Sequence, residues 1–247
     1  MYTVLFVLTS MVFSMTGDEL SILMDNRKSP TDISSDMNME ITNKKGRKRT
    51  LKVKSISKDN SEKQILWFLS PADDKGIAYL KIEHKNKDDE IRLWLPAFKK
   101  IRRISAKKKA DSFMGSDLSY EDMTSRQIED YNFTIIKEDN INNQDCYVMK
   151  SEPKKGIKSE YSKHLTWVTK DKYLPVKEES YDNENKLLKA KSFKYANLNS
   201  FDLVSEIFVE NMQKKTNTLL KLSNLRVNTN VKDNLFQEKN MKRLPRK

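Results

Sequence analysis

Glycine is scarce in this 247-residue chain, where Gly17, Gly46, Gly76, Gly115 and Gly156 are the whole set. No two lie close enough for G-x-G-x-x-G or G-x-x-x-x-G-K, so phosphate-cradling loops of those types are excluded. The single cysteine, Cys146, rules out a disulfide framework. With only two histidines, His84 and His164, there is no Cys/His zinc cluster and no H-E-x-x-H motif. Most common enzyme classes lose their usual parts at this step. Acid is also in deficit: Lys and Arg number 47 against 35 Asp and Glu, a net charge of +12. The hydrophobic share, 37%, is low but sufficient for a core, in one large all-β domain or two small ones. Lysine and asparagine are abundant everywhere, so the basic balance alone names no partner.

Long apolar runs are nearly absent as well. The exception, residues 4–15 (VLFVLTSMVFSM), carries no charge. It is shorter than the roughly 20 residues of a membrane anchor. It fits the apolar core of an export signal spanning residues 1–14, with Val12 and Ser14 flanking Phe13 before a cut at Met15. Residues 1–3 lack the positive charge such signals carry, and a buried N-terminal segment is the alternative. The expected product is residues 15–247 as one exported domain. The residue directly after the cut is Met15 and not a cysteine, so no lipid anchor is expected, and no second run is long enough to cross a bilayer.

What is present is strand. After an expected short helix over 17–26 and a linker over 27–35 marked by Pro30, Met37, Met39 and Ile41 alternate with polar residues through 36–42. Leu51 and Val53 do the same in 50–57, and 64–69 (QILWFL) is apolar on both faces. Alternation returns in 77–84 and 90–95, and Ile101 and Ile104 mark a further strand. Turn chemistry falls at 43–46, 58–60, 71–76 and 86–89. Residues 106–124 break the rhythm, with Ser116 or Asp117 placed to cap a short helix. Strands resume at 133–137, 145–151, 161–169, 175–182, 186–195, 204–213 and 218–227, and 183–185 is a hairpin turn. Residues 232–244 read as a terminal helix carrying Leu235 and Phe236. About a dozen sequential strands without an internal repeat point to a mainly β protein built on one strongly curved antiparallel sheet.

The most specific stretch is Trp94-Leu95-Pro96-Ala97-Phe98-Lys99-Lys100-Ile101-Arg102-Arg103-Ile104, followed by Phe113-Met114-Gly115-Ser116-Asp117-Leu118-Ser119-Tyr120-Glu121-Asp122. The two strings resemble the outer membrane lipoprotein-sorting family, a branch of the LolA/LolB-like periplasmic carriers. The resemblance extends over nearly all of residues 15–247, with weaker matches at 71–76, at Tyr173-Leu174-Pro175 and at Leu235-Phe236. It implies an unclosed (half) β-barrel of about eleven strands, with short helices lining or plugging the concave side. It also implies an apolar interior for acyl chains, no catalytic residues, no cofactor, and an RND-type exporter as a membrane partner. The cargo stays open between a lipoprotein, a free lipid and a hopanoid-like molecule.

Individual residues carry two readings each. Leu66, Trp67 and Phe68 line a cavity on one face or form a doubly buried core strand. Trp94 and Trp167 contact ligand or fill ordinary core. Met37, Met39, Met114, Met149 and Met212 suit an adaptable apolar lining or plain core. Arg102 and Arg103 alternate, so one is expected to face the concavity and meet a head group. The alternative is an ion pair with Asp117, Glu121 or Asp122, which would make the motif structural. Gly115 is expected at positive φ or at a close approach. Adjacent carboxylates such as Glu121-Asp122 and Asp88-Asp89-Glu90 diverge along the chain and are poor acid/base pairs. His164 reads as structural or surface, and Cys146 as a buried inert thiol. The basic run from Lys99 to Lys109 suits anionic lipid head groups in an exported protein, whereas the C-terminal run reads as a solvated face.

The reading is an exported, periplasmic, non-enzymatic carrier of lipid or acylated protein. A lipid sensor of the same fold is the nearest alternative. A basic nucleic-acid-binding protein would require residues 4–15 not to be a signal, and a hydrolase comes last.

Overall fold

The computed structural model describes residues 15–85 and 87–245, so the expected export signal over 1–14 lies outside the described residues. The chain enters through helix α1 (Gly17–Asp25). Thr16 and Glu19 close its N-terminus reciprocally. The Glu19 amide donates to the Thr16 hydroxyl at 3.2 Å, and the Thr16 amide donates to the Glu19 carboxylate at 2.8 Å.

Thirteen strands follow. The first six are β1 (Asp32–Thr42), β2 (Lys48–Lys58), β3 (Lys63–Ser70), β4 (Ala78–Ile82), β5 (Glu90–Leu95) and β6 (Lys100–Ile104). The remainder are β7 (Tyr131–Ile141), β8 (Gln144–Pro153), β9 (Tyr161–Thr169), β10 (Pro175–Asp182), β11 (Leu187–Leu198), β12 (Phe201–Asn211) and β13 (Thr216–Val227). A four-residue helix, α2 (Glu238–Met241), lies near the C-terminus.

All strands belong to one antiparallel sheet, ordered β6-β5-β4-β3-β2-β1-β13-β12-β11-β10-β9-β8-β7. Two meanders are thus stitched together where β1 meets β13, and β6 and β7 remain as free edges. The sheet is not closed, as an unclosed barrel requires, and it has thirteen strands rather than the expected eleven or so. The free edge β6 exposes Lys100, Arg102 and Arg103, and such charges discourage strand addition from a neighbour.

Asparagine does at the turns what scarce glycine cannot. Asn142 and Asn143 both take positive φ in the β7–β8 hairpin, as do Asn199 and Ser200 in the β11–β12 hairpin. Asparagine tolerates this region better than most side chains, and paired positive φ values match the twist of the flanking strands.

Three expectations need correction. Strand β1 begins inside the expected linker, because the Asp32 carboxylate accepts the Thr229 hydroxyl at 2.7 Å and the Thr229 amide at 2.9 Å, which ties the strand start down. No helix forms after Ser116 or Asp117. The Ser116 hydroxyl donates back to the Phe113 carbonyl at 2.7 Å, and the Asp117 carboxylate is engaged by two sheet threonines. The terminal helix is broken into a single turn at Asp233–Leu235 and α2, with Phe236 between them.

The sheet curls sharply. Lys81 on β4 and Glu178 on β10 are seven strand spacings apart, about 33 Å in a flat sheet. Both nevertheless wall one cavity of about 420 Å³. Register shifts at Ser34/Asp36, Ile135/Lys137 and Lys194/Tyr195 supply local bends.

The two faces differ in what covers them. On the convex side, Ile65, Trp67, Ala78 and Leu80 pack beneath Phe236 and Met241, and the Trp67 indole donates to the Asn240 carbonyl at 3.1 Å. On the concave side, Met37, Met39, Leu51, Val53, Leu66, Phe68 and Tyr79 form the main core with Phe113. Strand β3 is therefore buried on both faces, which explains its unbroken apolar run.

Helix α1 docks on β7 through Gly17. A Cβ at this position would stand 2.4 Å from the Phe133 carbonyl carbon and 2.5 Å from the Thr134 nitrogen. Gly17→Ala is expected to lift α1 off the sheet and to cost about 1–3 kcal/mol. Hydrogen exchange of residues 17–25, with a urea melt of the same variant, measures this, and unchanged protection would contradict the close docking.

Candidate functional site

Residues 105–130 join the two free edges and cross the concave face as a strap. The strap is held at successive points by side chains of the second signature string. Phe113 inserts between Phe68, Tyr79 and Tyr120, with ring centroids 6.2, 5.2 and 5.7 Å away. Met114 and Gly115 both take positive φ, and Gly115, at +78°, turns the chain. The Asp117 carboxylate accepts from the Thr218 hydroxyl at 2.7 Å and from Thr216, both on β13. Glu121 accepts the Glu160 amide at 2.8 Å and the Ser159 hydroxyl. Ser125 donates its amide to Glu83 at 2.8 Å.

The deepest anchor is Asp122, whose side chain is 2% exposed. Its carboxylate receives the Lys189 and Lys191 ammonium groups at 2.8 and 2.5 Å and the Tyr161 hydroxyl at 2.9 Å. Lys191 also bonds Glu178 at 3.1 Å, and Arg126 pairs with the other Glu178 oxygen. Burial works against the charge on Asp122 and Glu178. Lys191 and Lys189 outweigh it at Asp122, and Arg126 and Lys191 outweigh it at Glu178, so both carboxyls lie well below the usual range. His164, buried beside Ser180 at 2.9 Å, is pushed down to about 3 by burial and by Arg126, and it is neutral at pH 7. Removing one member of such a cluster leaves another charge buried without a partner, at about 3–5 kcal/mol.

Beneath the strap lie two mostly apolar cavities. The first, about 420 Å³, is walled by Met37, Leu118, Met123, Phe193, Ile207 and Leu222 among others. The second, about 400 Å³, is walled by Met24 of α1 with Phe133, Met149 and Pro175. Both fall within the roughly 300–1,000 Å³ typical of ligand sites. Ser125, Arg126, Glu178 and Phe193 belong to both walls, so the ion pair of Arg126 stands between them. Among the described residues, no three His, Cys, Asp or Glu side chains converge as metal ligands.

The signature residues are brought together mainly as a clasp. Of the residues singled out from sequence, Asp122 and Met37 border the first cavity and Met149 the second. Leu66, Phe68, Phe113, Met114 and Tyr120 belong to the concave core. Ser116 and Asp117 are buried in the strap, and Glu121 lines a polar pocket beside it. Met212 is 42% exposed. Trp67 and Trp94 are part of the convex cluster, and Ile101 pairs with Trp94 across the β5–β6 ladder. Trp167 packs with Cys146 and Val148, where burial raises the thiol pKa.

Pro96 opens a single turn that caps the β5–β6 hairpin. In that hairpin Arg102 shares the face of Leu93 and Arg103 the opposite one. The ion pair of either arginine with Asp117, Glu121 or Asp122 is corrected: those carboxylates are held by β9, β11, β13 and the segment before β9, and both arginines are exposed. Sequence reading missed Arg126, Glu178, Lys191 and Phe193. Strand alternation groups Glu178, Lys191 and Phe193 by face but does not say which face is concave.

A curled, unclosed antiparallel sheet with a strap across its concave side is a LolA-like fold. A LolA superfamily protein from Nitrosomonas europaea shares it with a TM-score of 0.73 and 19% identity, over 92% of this chain and 100% of its own. A DUF1329 family protein from Desulfovibrio piger superposes at 0.86 with 31% identity, over 91% of this chain and 97% of its own. An outer membrane lipoprotein-sorting protein domain from Vibrio parahaemolyticus gives 0.85 at 31% identity, over 92% and 98%. A family model described only as an uncharacterized protein matches residues 60–243, and no curated protein shows significant similarity. The chain belongs to the outer membrane lipoprotein-sorting family.

The buried cluster generates a pH dependence. Unfolded, His164 takes up a proton near pH 6.5 or so; folded, it resists protonation until about pH 3. Its contribution to stability is therefore complete above about pH 6.5 and is lost as pH falls toward 3. Below about pH 4 the lowered carboxyls of Asp122 and Glu178 add a steeper loss in the same direction. His164→Gln is expected to flatten the upper part of this decline and leave the lower part. Urea midpoints across the pH range measure it, and parallel curves for the two proteins would contradict the assignment.

Proposed function

We propose that this protein is a periplasmic carrier that shelters acyl chains beneath the strap and passes them between membranes without covalent chemistry. The observation that carries the reading is the pair of apolar cavities on the concave side of a family fold whose relatives include a lipoprotein-sorting domain. Each methylene is worth about 0.8 kcal/mol. A chain of about 16 carbons thus faces roughly 12 kcal/mol on entering water, and an apolar concavity removes that barrier. The expected export signal supplies the compartment. No helix among the described residues is long and apolar enough to cross a membrane. An RND-type exporter as donor or acceptor is supported by the family resemblance alone.

Native mass spectrometry of the gently purified protein, with organic extraction, tests the reading. A discrete adduct of lipid mass is expected. A protein that is empty, and stays empty after mixing with lipids of its own membrane, would overturn it.

The β5–β6 hairpin supports contact with an anionic membrane. Phe98 at its tip is 70% exposed. It is followed by Lys99, Lys100, Arg102, Arg103, Lys107 and Lys108, all exposed, with no acid from 97 to 110. A polybasic segment gains about 1 kcal/mol per charge near an anionic surface, and an inserted Phe adds about 1.5–3 kcal/mol. Cosedimentation with phosphatidylglycerol vesicles is expected to exceed that with phosphatidylcholine and to fall with salt. Phe98→Ser is expected to weaken it about tenfold with an unchanged melting temperature. Equal binding by the variant would rule out the hairpin as the contact.

A further inference from the structure

Four pockets share Ser125 and Arg126, and the three larger ones define the site. Two are the apolar cavities of about 420 and 400 Å³, which lie on either side of Arg126 and Phe193. The third, about 520 Å³, is polar and shares Ser125 and Arg126 with both. Arg126 has 36% of its side-chain surface accessible; one guanidinium nitrogen pairs with Glu178 and another lies 3.5 Å from the Ser151 hydroxyl. The polar pocket has a charge of its own kind. Asp25, Glu62, Glu129 and Asp130 line it against Lys85, while Arg126 and Glu83 are already paired, with Glu178 and Lys81. In a protein of net charge +12, this mouth is locally acidic.

We infer that the concavity is forked and takes a two-chain lipid whose head carries an ammonium group. One acyl chain enters the cavity beside Ile207 and Leu222, and the other enters the cavity beside Met24 and Phe133. The ester junction sits at Ser125 and Arg126, and the ammonium faces the carboxylates of the polar pocket. Two chains of similar length need two sites of similar volume, which the cavities provide. A single chain would leave one of them empty, and a rigid ring system would have to pass the ion pair between them. Charge complementarity favours an amine-bearing head over a purely anionic one. The same diacyl, amine-bearing chemistry is found in phosphatidylethanolamine and in a dipalmitoylated cysteinyl peptide with a free amino group. This inference rests on the carrier reading and specifies its ligand.

Native mass spectrometry of the full chain tests it with four probes: hexadecanol, dipalmitoyl phosphatidylethanolamine, dipalmitoyl phosphatidylglycerol and the dipalmitoylated peptide. The wild type is expected to hold two hexadecanol molecules or one diacyl lipid, with phosphatidylethanolamine preferred about tenfold over phosphatidylglycerol. Leu222→Trp fills one cavity and Met24→Trp the other. Each is expected to hold one hexadecanol and to lose at least tenfold in diacyl-lipid affinity. Ile207→Trp and Phe133→Trp replace either variant that fails to keep the wild-type melting temperature.

Tighter binding of the peptide or of phosphatidylethanolamine tells which source supplies the lipid, and either agrees with the fork. A wild type that holds one hexadecanol, a diacyl lipid untouched by either variant, or phosphatidylglycerol bound as tightly as phosphatidylethanolamine would overturn the inference while leaving a lipid carrier in place. No adduct with any probe would remove the carrier reading itself.

Discussion

The concave face depends on one buried carboxylate. Asp122 on the strap meets Lys189 and Lys191 of β11 and Tyr161 of β9, so a segment with only two single 3-10 turns is pinned across a sheet that would otherwise lie open. Burial makes that attachment specific. Two ammonium groups and a carboxylate are tolerable away from water only when they satisfy each other, and any displacement of the strap separates them. Glu178 and Arg126 extend the same network to the point where the cavities meet, which couples the clasp to the site.

The concavity is divided by chemistry. Across β1 to β6, β12 and β13 its lining is mostly Met, Leu, Ile, Val, Phe and Tyr, with Ser35, Ser55 and Lys81 among them. Across β9 to β11 it is Thr166, His164, Glu178, Ser180, Lys189 and Lys191. The apolar half supplies the core under Phe113, and the polar half supplies the anchor for Asp122. The first cavity lies where the two meet and the second lies between α1, the strap and β7 to β11, and both combine apolar walls with the charged edge formed by Glu178 and Arg126. An amphiphile is the class of molecule that matches such a lining.

The signature strings are explained by this arrangement more than by ligand contact. Phe113, Gly115, Asp117, Glu121 and Asp122 each hold the strap at a different point of the sheet or turn it. The Trp94 to Ile104 string builds an edge hairpin whose tip exposes Phe98 among cations. A motif can therefore mark a family through the way it folds the lid, while the walls that meet cargo come from strands with no distinctive spelling.

Local chemistry made much of this fold legible. Period-two alternation located β5, β9 and β10 to the residue and most other strands within a few residues, because each strand's facing is decided by its own side chains. The turn at 43–46, the helix after Thr16 and the doubly buried β3 were readable for the same reason. The helix expected after Ser116 failed because the Asp117 side chain was recruited by threonines some hundred residues away and the Ser116 hydroxyl turned back to Phe113. The pairing of β1 with β13, the curl, and the choice of concave face depend on contacts across nearly the whole chain. So does the meeting of Arg126 with Glu178 and of Phe193 with both cavities. The sequence by itself determined a β-rich, glycine-poor chain whose motif placed it in a family. Only the tertiary structure decided which residues face the ligand space, because a strand's two faces are equivalent until the sheet curls toward one of them.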